Sequence, residues 1–443
     1  MGLVALALSA APLAGQGLFT DARRAGMGGV SLSRDGRLER FNPAYGAVPN
    51  RPGAGGGPKF TIPIPLGLIQ FFSDHSLSSL SKDPLFHPDS ARFNPIELIN
   101  LVLHPPLYLE VKKPPTPTND VAIGIGRDSL SIDLGKAQAL VPADQFGFAG
   151  SSRPISIMPG IKGFHAGVMV WLYDELQMQL GDTLLAFLKD GQEAQHKAPY
   201  EVMANGLAAG GFAPSVAYSG KVYGDSTRAI YIGAAAHYYL GSAYGRSSGT
   251  GGFMTGDTIF AGSNIVTPTL VMETQYSKWG NALGHGVGVD AGVVWISGPL
   301  EFGVGVNDIG ATITWPDTKI EYRHYDTTAA KLVLDSSRTG VETKTKLPVA
   351  YIANVAYSTG STTVGANLFD NGRGTTVSVG VEQRFGPLVA RGGLSRDQRK
   401  KVEFAAGGGV RFGPFELDIA LWTHSNSLSD ERAMTLATSL AIY

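Results

Sequence analysis

The segment GPFELDIALW, residues 413–422, contains the pattern that decides the fold of this chain. After Gly413-Pro414, apolar residues at 415, 417, 419 and 421 alternate with Glu416, Asp418 and Ala420. Successive side chains of a β-strand point to opposite faces, so this strand has one apolar face and one polar face. A membrane-barrel strand shows this alternation, with the apolar side chains outward and the polar or small ones inward.

The same alternation recurs through the C-terminal third of the sequence. It is clear in residues 402–412, 377–382 and 300–307, and weaker in 229–240 and 350–357. The last segment, 433–443, has its apolar face at Met434, Leu436, Leu440 and Ile442, which leaves Tyr443 on the opposite face unless a bulge intervenes. We therefore predict an all-β fold, a transmembrane antiparallel up-and-down barrel of about 14 strands.

Three of these strands follow a Gly-Pro dipeptide. Glycine supplies the positive φ of the first central position of a type II′ turn, and proline fits the second, so two-residue hairpins are predicted. Such hairpins fix the strand register. The predicted turns are Gly298-Pro299, Gly386-Pro387 and Gly413-Pro414; the predicted opposed pairs are Trp295 with Phe302, Asp290 with Asn307, Glu382 with Arg391, and Arg411 with Glu416.

The charged pairs of this register fall on the inward face, where two interpretations are open. They satisfy one another across strands and anchor a lumen segment, or they line a polar passage. Short turns of such barrels are periplasmic and long loops external, so the three Gly-Pro turns are predicted to be periplasmic.

Composition supports an envelope protein. Charged residues make up 16% of the 443 residues, glycine numbers 58 and cysteine is absent. Lys+Arg 36 against Asp+Glu 37 gives no basic surface for nucleic acid. Residues 2–14 are an apolar run ending in small residues, so residues 1–15 are predicted to be a signal peptide; no later run is long enough for a membrane helix.

The predicted organisation is a signal peptide (1–15), an N-terminal hatch or plug (16–50) and the barrel (51–443). Within the barrel region, 71–118 and 309–346 are predicted to be non-barrel loops, and short helices are predicted near 95–102 and over 182–191. The Gly/Ser-rich segment 241–262 is predicted to be a long loop unless it contains a strand near 253–260.

Two stretches resemble the outer-membrane transport superfamily that includes the fatty acid transporter FadL and the secretion component PorV. Residues 22–30 (ARRAGMGGV), with Gly26, Met27, Gly28 and Gly29, followed by Asn42-Pro43-Ala44, look like the superfamily's N-terminal motif. Residues 300–310 and 380–443 look like its late strands. The resemblance implies a hatch folded into the lumen and passage of hydrophobic ligands; the alternative is a flexible glycine-rich linker.

Motifs for catalysis or cofactors have poor context. Gly245–Gly249 matches G-x-S-x-G around Ser247, but lies in a Gly/Ser-rich stretch without a strand-to-helix turn. The register places no nucleophile near His237 or His285, and the nine histidines include no zinc-binding spacing. Gly284, Gly286 and Gly288 begin a strand and are not followed by a helix. We expect no enzymatic activity, no metal and no cofactor.

The expected function is transport of hydrophobic small molecules such as fatty acids across a bacterial outer membrane, after signal-peptide-dependent export. Expected partners are outer-membrane lipids, the barrel-assembly machinery and a hydrophobic ligand, with no nucleic acid. The alternative implied by the resemblance is a PorV-like docking component of a protein secretion system, with secretion-system proteins as partners.

Overall fold

A computed structural model describes residues 21–32, 40–49, 60–64, 108–110, 122–125, 130–133, 145–153, 156–189, 193–225, 227–257, 266–277, 283–329, 331–372, 374–398, 402–423 and 433–443. The predicted signal peptide and the predicted helix at 95–102 lie outside these residues, as do most of 71–118 and the first residues of the predicted hatch.

The described chain is built mainly from antiparallel strands. They are β1 Phe60–Pro63, β2 Tyr108–Glu110, β3 Ala122–Ile125, β4 Leu130–Asp133, β5 Gln145–Ser152, β6 Ser156–Ile157, β7 Gly160–Ile161, β8 Phe164–Leu180, β9 Pro199–Gly224, β10 Arg228–Thr255, β11 Val266–Ser277, β12 Gly284–Ser297, β13 Leu300–Asp326, β14 Lys331–Lys346, β15 Ala350–Thr359, β16 Thr362–Asp370, β17 Thr375–Phe385, β18 Leu388–Arg396, β19 Val402–Phe412, β20 Phe415–Trp422 and β21 Ala433–Ile442. The helices are α1 Ala22–Gly26, a 3-10 turn Pro43–Ala47, and α2 Asp182–Lys189, where a helix was predicted.

The barrel wall follows the order of the sequence. From β8 the neighbours are β9, β10, β12, β13 and then β15 to β21 in succession. The short strands β5, β6 and β7 pair with the free side of β8, and β1 and β2 pair with the free side of β21. Among the described residues this gives fourteen strand positions, as predicted.

The register predicted from the Gly-Pro turns is confirmed next to each turn. Phe412 opposes Phe415, Glu382 opposes Arg391, and Trp295 opposes Phe302. The turn glycines Gly298, Gly386 and Gly413 have φ values of 55°, 62° and 60°, the left-handed conformation that the first turn position needs. The three turns therefore set the pairing of the C-terminal half of the barrel.

The register prediction is wrong further along β13, at Asp290 and Asn307. The β12–β13 ladder shifts on both sides of Val289, so those two residues are not partners. Asp308 and Gly310 have positive φ values of 58° and 71°, and each marks an extra residue in β13. Because two bulges add two residues, the inward face is restored beyond them.

The burial pattern is the inverse of that of a water-soluble protein. In β20, Phe415, Leu417 and Ile419 are 38%, 50% and 52% exposed, whereas Glu416 and Asp418 are 0% and 1% exposed. The same exposed apolar face continues through β16 to β19. Strands β15 to β21 have eight to eleven residues, close to the length that crosses a bilayer. The chain is a transmembrane β-barrel with a polar interior.

One side of the barrel is much taller than the other. Strands β9, β10 and β13 have 26, 28 and 27 residues, and β11 and β14 pair with the halves farther from the Gly-Pro turns. The prediction of a non-barrel loop over 309–346 is therefore wrong, because this segment forms a β-hairpin that extends the wall. Residues 241–255 are likewise strand, and Tyr108–Glu110 within 71–118 pairs with β21.

No helix among the described residues has the length and apolar character needed to cross a membrane.

Candidate functional site

An N-terminal segment lies inside the barrel; we call residues 21–32 and 40–49 the plug. Helix α1 begins after Asp21, whose side chain accepts a hydrogen bond from the Arg24 backbone N–H at 3.1 Å. The helix ends at Gly26 with Met27 as its C-cap, after which Gly28 and Gly29 adopt φ values of 67° and 90°. Met27 is fully buried. Gly26, Met27, Gly28 and Gly29 therefore form a helix end and a turn that contact inward-facing residues of the wall.

The first plug contact with the wall is a row of inward glycines, which we call the first seat: Gly380, Gly393 and Gly407. A Cβ added to Gly380 would lie 2.3 Å from the Met27 carbonyl oxygen, and one on Gly393 would lie 2.1 Å from the Met27 carbonyl carbon. A Cβ on Gly407 would lie 3.0 Å from the Gly26 Cα. Only glycine permits this approach of backbone to backbone.

A charge cluster adjoins the first seat, formed by Arg23, Glu382, Arg384, Arg391, Glu416 and Asp418. Arg23 Nε of the plug lies 2.8 Å from Glu382 Oε2, and Arg391 Nε lies 2.8 Å from the same oxygen. Arg391 also reaches Glu416 Oε1 at 2.6 Å and Asp418 Oδ1 at 2.5 Å. Burial opposes the charge of Arg23, but Glu382 outweighs it and holds the pKa of Arg23 above its ordinary value.

One of the predicted charge pairs does not form. Arg411 opposes Glu416 in the register, as predicted, but its guanidinium lies over the Tyr443 ring, 4.0 Å from the centroid. Arg384 donates a hydrogen bond to the Tyr443 hydroxyl at 3.2 Å. The β20–β21 register has no shift, so Tyr443 faces inward by simple alternation and no bulge is needed. Glu416 instead pairs with Arg391 at 2.6 Å and lies 3.9 Å from Arg384.

The second plug contact is made by Asn42, Pro43 and Ala44. The Asn42 side chain accepts from the Ala44 N–H at 3.1 Å, which caps the 3-10 turn, and donates to the Val293 and Val304 carbonyls at 3.2 and 3.1 Å. The wall is again glycine at this contact, which we call the second seat: Gly233, Gly292 and Gly305, whose added Cβ atoms would lie 2.5, 1.9 and 2.3 Å from plug atoms. The Asn42 side-chain amide thus supplies two wall carbonyls with the hydrogen bonds that water would otherwise provide.

Tyr45 holds the plug at the second seat, on the side nearer the Gly-Pro turns. Its hydroxyl donates to Glu301 Oε1 at 2.8 Å and accepts from the Asn354 side chain. Tyr45 is 1% exposed and packs beside Phe41 and Ile352. The sequence did not single out Tyr45, Glu301 or Asn354, although Glu301 falls on the inward face of a predicted strand.

A second polar network lies on the other side of Gly292 and Gly305, away from the Gly-Pro turns. Arg153 pairs with Asp290 and, at 2.9 Å, with Asp308. The Asp308 N–H donates to Asp290 Oδ1 at 2.9 Å, which holds the first β13 bulge. Arg40 of the plug donates to the Arg153 carbonyl at 2.8 Å, and Arg153 donates to the Arg40 carbonyl at 2.6 Å. This network therefore joins the plug to the bulge.

His237 extends this network. Its Nε2 lies 2.9 Å from Asp290 Oδ2 and its Nδ1 lies 2.7 Å from Ser215 Oγ. Sequence analysis placed no nucleophile near His237, and the structure corrects that expectation by bringing in Ser215 from β9. All three side chains are buried and Asp290 is shared with Arg153. Ser247 lies within β10, paired to strands on both sides, and not on a nucleophile elbow.

The network is followed by an apolar region of the lumen, which we call the aromatic cluster: Met169, Trp171, Tyr173, Tyr239, Tyr244, Ile313 and Trp315. The rings of Trp171 and Tyr239 meet edge-on with centroids 5.5 Å apart. Trp315 lies against Gly241 and Gly284, where added Cβ atoms would be 2.3 and 2.6 Å from its ring. Its Nε1 donates to Thr345 Oγ1 at 3.1 Å.

This cluster contrasts with the charge cluster and the Arg153 network, where the inward side chains are charged. A water-filled pore is lined by polar side chains, whereas here adjacent inward positions of β8, β10 and β13 are aromatic or aliphatic. The sequence did not reveal this cluster, because the weak alternation of the middle region does not show which face is inward. The interior is thus layered, with the plug nearer the Gly-Pro turns and the aromatic cluster beyond it.

Among the described residues, no group of acidic, histidine or cysteine side chains could hold a metal ion.

Several solved structures are similar to this chain at low sequence identity. The Ralstonia pickettii toluene transporter TbuX is similar at 9% identity, over 69% of this chain and 93% of that one, with a TM-score of 0.30. The TodX monoaromatic hydrocarbon channel, in a deletion mutant, is similar at 10% identity over 70% and 83%, with a TM-score of 0.34. A Rhodopseudomonas blastica porin mutant is similar at 11% identity over 63% and 100%, with a TM-score of 0.21. No family model and no curated protein matches the chain.

Proposed function

We propose that this protein is an outer-membrane channel for hydrophobic small molecules, closed by its plug. The observation that carries the proposal is the aromatic cluster, because an apolar patch in a lumen favours solutes that are driven out of water. The resemblance of residues 22–30 and 42–44 to the FadL group supports the same class of ligand.

The geometry divides the channel into two functional parts. The aromatic cluster is where an apolar solute would bind, since the inward side chains there, among them Trp171, Tyr239 and Trp315, are aromatic. The plug, held on its two glycine seats, closes the half of the lumen nearer the Gly-Pro turns, which we assign to the periplasmic side. Passage therefore requires the plug to leave at least one seat.

The test is uptake by a bacterial strain that expresses this chain, compared with the same strain carrying an empty vector. Labelled oleate and toluene are the apolar probes, and a small labelled sugar reports general leakage. We expect faster uptake of at least one apolar probe and unchanged sugar uptake. Equal uptake of both apolar probes with and without the protein would overturn the proposal.

A matched pair of variants ties uptake to the cluster. Ile313 is fully buried on the inward face of β13, whereas its neighbour Thr312 faces outward. We expect Ile313→Ser to slow apolar uptake severalfold and Thr312→Ser to leave it unchanged. A docking component of a secretion system, the alternative raised by the PorV resemblance, would show no uptake that responds to either substitution.

A further inference from the structure

The charge cluster is balanced only while the plug is seated. Its ion pairs, with nitrogen–oxygen distances within 4.0 Å, join three guanidinium groups to three carboxylates. Arg384 and Arg391 belong to the wall, as do all three carboxylates, whereas Arg23 belongs to the plug. Withdrawal of α1 would therefore leave two positive and three negative groups on the wall.

An uncompensated charge in a buried site is unfavourable, and such a group takes up a proton in preference to staying ionised. Two carboxylate oxygens of the wall are available to take up such a proton. Glu416 Oε2 and Asp418 Oδ2 are buried and accept no hydrogen bond in the described structure. They belong to residues two apart on the same inward face of β20, so a proton on either oxygen displaces no existing hydrogen bond.

The other charged groups facing this cluster do not change the balance. Asp21 and Arg24 leave together with the plug and cancel each other. Arg411 is held over the Tyr443 ring, and Glu403 accepts from Ser395 Oγ at 3.2 Å. Tyr443 is a phenol, which is neutral at the pH values at which carboxylates titrate. Withdrawal of the plug therefore removes one net positive charge, that of Arg23, from the charge cluster.

We propose that release of the plug from the first seat is coupled to uptake of one proton by the Glu416 and Asp418 carboxylates. The inference rests on the proposed function, since it requires the plug to move. Because the released state binds the additional proton, a fall in pH favours release and a rise in pH favours the seated plug. Arg23 acts as the counter-ion that this proton replaces.

The absence of cysteine from the chain allows a direct test. Val30 is 1% exposed and packs on Gly365, so a maleimide reaches a Val30→Cys thiol only after the plug has left the wall. The full barrel in outer-membrane vesicles is labelled across a pH series. Ser336→Cys, at an exposed position of β14, corrects for the pH dependence of thiol reactivity. We expect the corrected rate to rise as pH falls, by up to about tenfold per pH unit for one coupled proton.

Two substitutions should abolish the pH dependence for different reasons. Arg23→Gln removes the counter-ion, so seated and released states carry the same wall charge, and it leaves the wall itself unaltered. Asp418→Asn removes an acceptor and leaves excess positive charge in the seated state. Both should also speed labelling at neutral pH. Glu403→Gln, a buried wall carboxylate outside the cluster, should keep the wild-type slope.

The outcomes separate this inference from the proposed function. Labelling that occurs without pH dependence, or a slope that survives Arg23→Gln, overturns proton coupling but leaves plug movement standing. Absence of labelling at every pH in vesicles that take up an apolar probe overturns plug movement and coupling together. Loss of the slope in both cluster variants, with retention in Glu403→Gln, supports the coupling.

Discussion

The glycine seat makes a sharp prediction at Gly393. An added Cβ would lie 2.1 Å from the Met27 carbonyl carbon and 2.4 Å from the Gly28 nitrogen. Both neighbours are backbone atoms, so no side-chain rotation relieves the clash, and the plug must move by about 1 Å to restore ordinary contact. Overpacking of this kind costs about 1–3 kcal/mol. At about 1.4 kcal/mol per factor of ten, Gly393→Ala should weaken occupancy of the first seat about 5- to 150-fold.

The neighbouring residue provides the control. A Cβ on Gly392 meets nothing within 4 Å, so Gly392→Ala alters the same strand without touching the plug. Both variants are made in the Val30→Cys background and labelled at one fixed pH. We expect labelling of Gly393→Ala to accelerate by the factor above, with Gly392→Ala near the unmodified rate. Both barrels are first shown to be folded by their resistance to unfolding in detergent. Equal labelling rates in the two variants would then refute the argument that the glycines form a seat.

Three further predictions test other parts of the structure. Asn42→Ala should weaken binding of the plug at the second seat by about 1–3 kcal/mol, because hydrogen bonds to two buried carbonyls are lost, and maleimide should then label an Ala44→Cys thiol faster. Asn42→Asp keeps the helix cap but lacks the amide donors, so it should behave like Asn42→Ala. Arg391→Met should destabilise the barrel by about 3–5 kcal/mol in urea unfolding, because Asp418 loses its ion-pair partner and Glu382 and Glu416 each lose one of theirs; no loss of stability would argue against a buried ion cluster. Gly413→Ala should cost about 1–2 kcal/mol in the same assay from its φ of 60° alone, since an added Cβ meets no atom within 4 Å; a Gly413→Asn variant should be less affected.

The sequence predicted the C-terminal half of the barrel because two local signals agree there. Alternation of apolar and polar residues identifies the outward face, and each Gly-Pro turn fixes the register between two faces. The pairing of Glu382 with Arg391 follows from these signals alone. Over β12 and β13 the same reasoning held until Asp308, where a bulge that no sequence motif marks shifts the ladder.

The charge cluster shows that the strand register does not determine which charged side chains contact each other. Opposition across a hairpin places Arg411 beside Glu416, but Arg391 is long enough to reach Glu416 and Asp418 on β20, beyond its own neighbour β19. Arg411 instead stacks on Tyr443. Side-chain partners in a curved wall therefore depend on the diagonal distances of the closed structure, which pairwise strand opposition does not contain.

The contacts of the plug were beyond prediction for a related reason. Asn42 and Pro43 read as a tight turn, which they form, but their partners Gly292 and Gly305 lie more than 200 residues away in sequence. Inward glycines in a strand read equally well as weak strand positions or as contacts for another backbone. Only the folded barrel shows that the glycines of the first and second seats coincide with the two halves of the plug.

The order of layers in the lumen follows from the covalent order of β13. Its inward residues run from Glu301, bound to Tyr45, through Gly305 at the second seat and Asp308 in the Arg153 network, to Ile313 and Trp315. A solute that enters from the far end of the barrel therefore meets the aromatic cluster before it meets the plug. The Arg153 network lies between them and hydrogen-bonds Arg40 of the plug. The proposed function thus assigns selection of the solute and closure of the channel to different residues, which are joined by the buried Arg153.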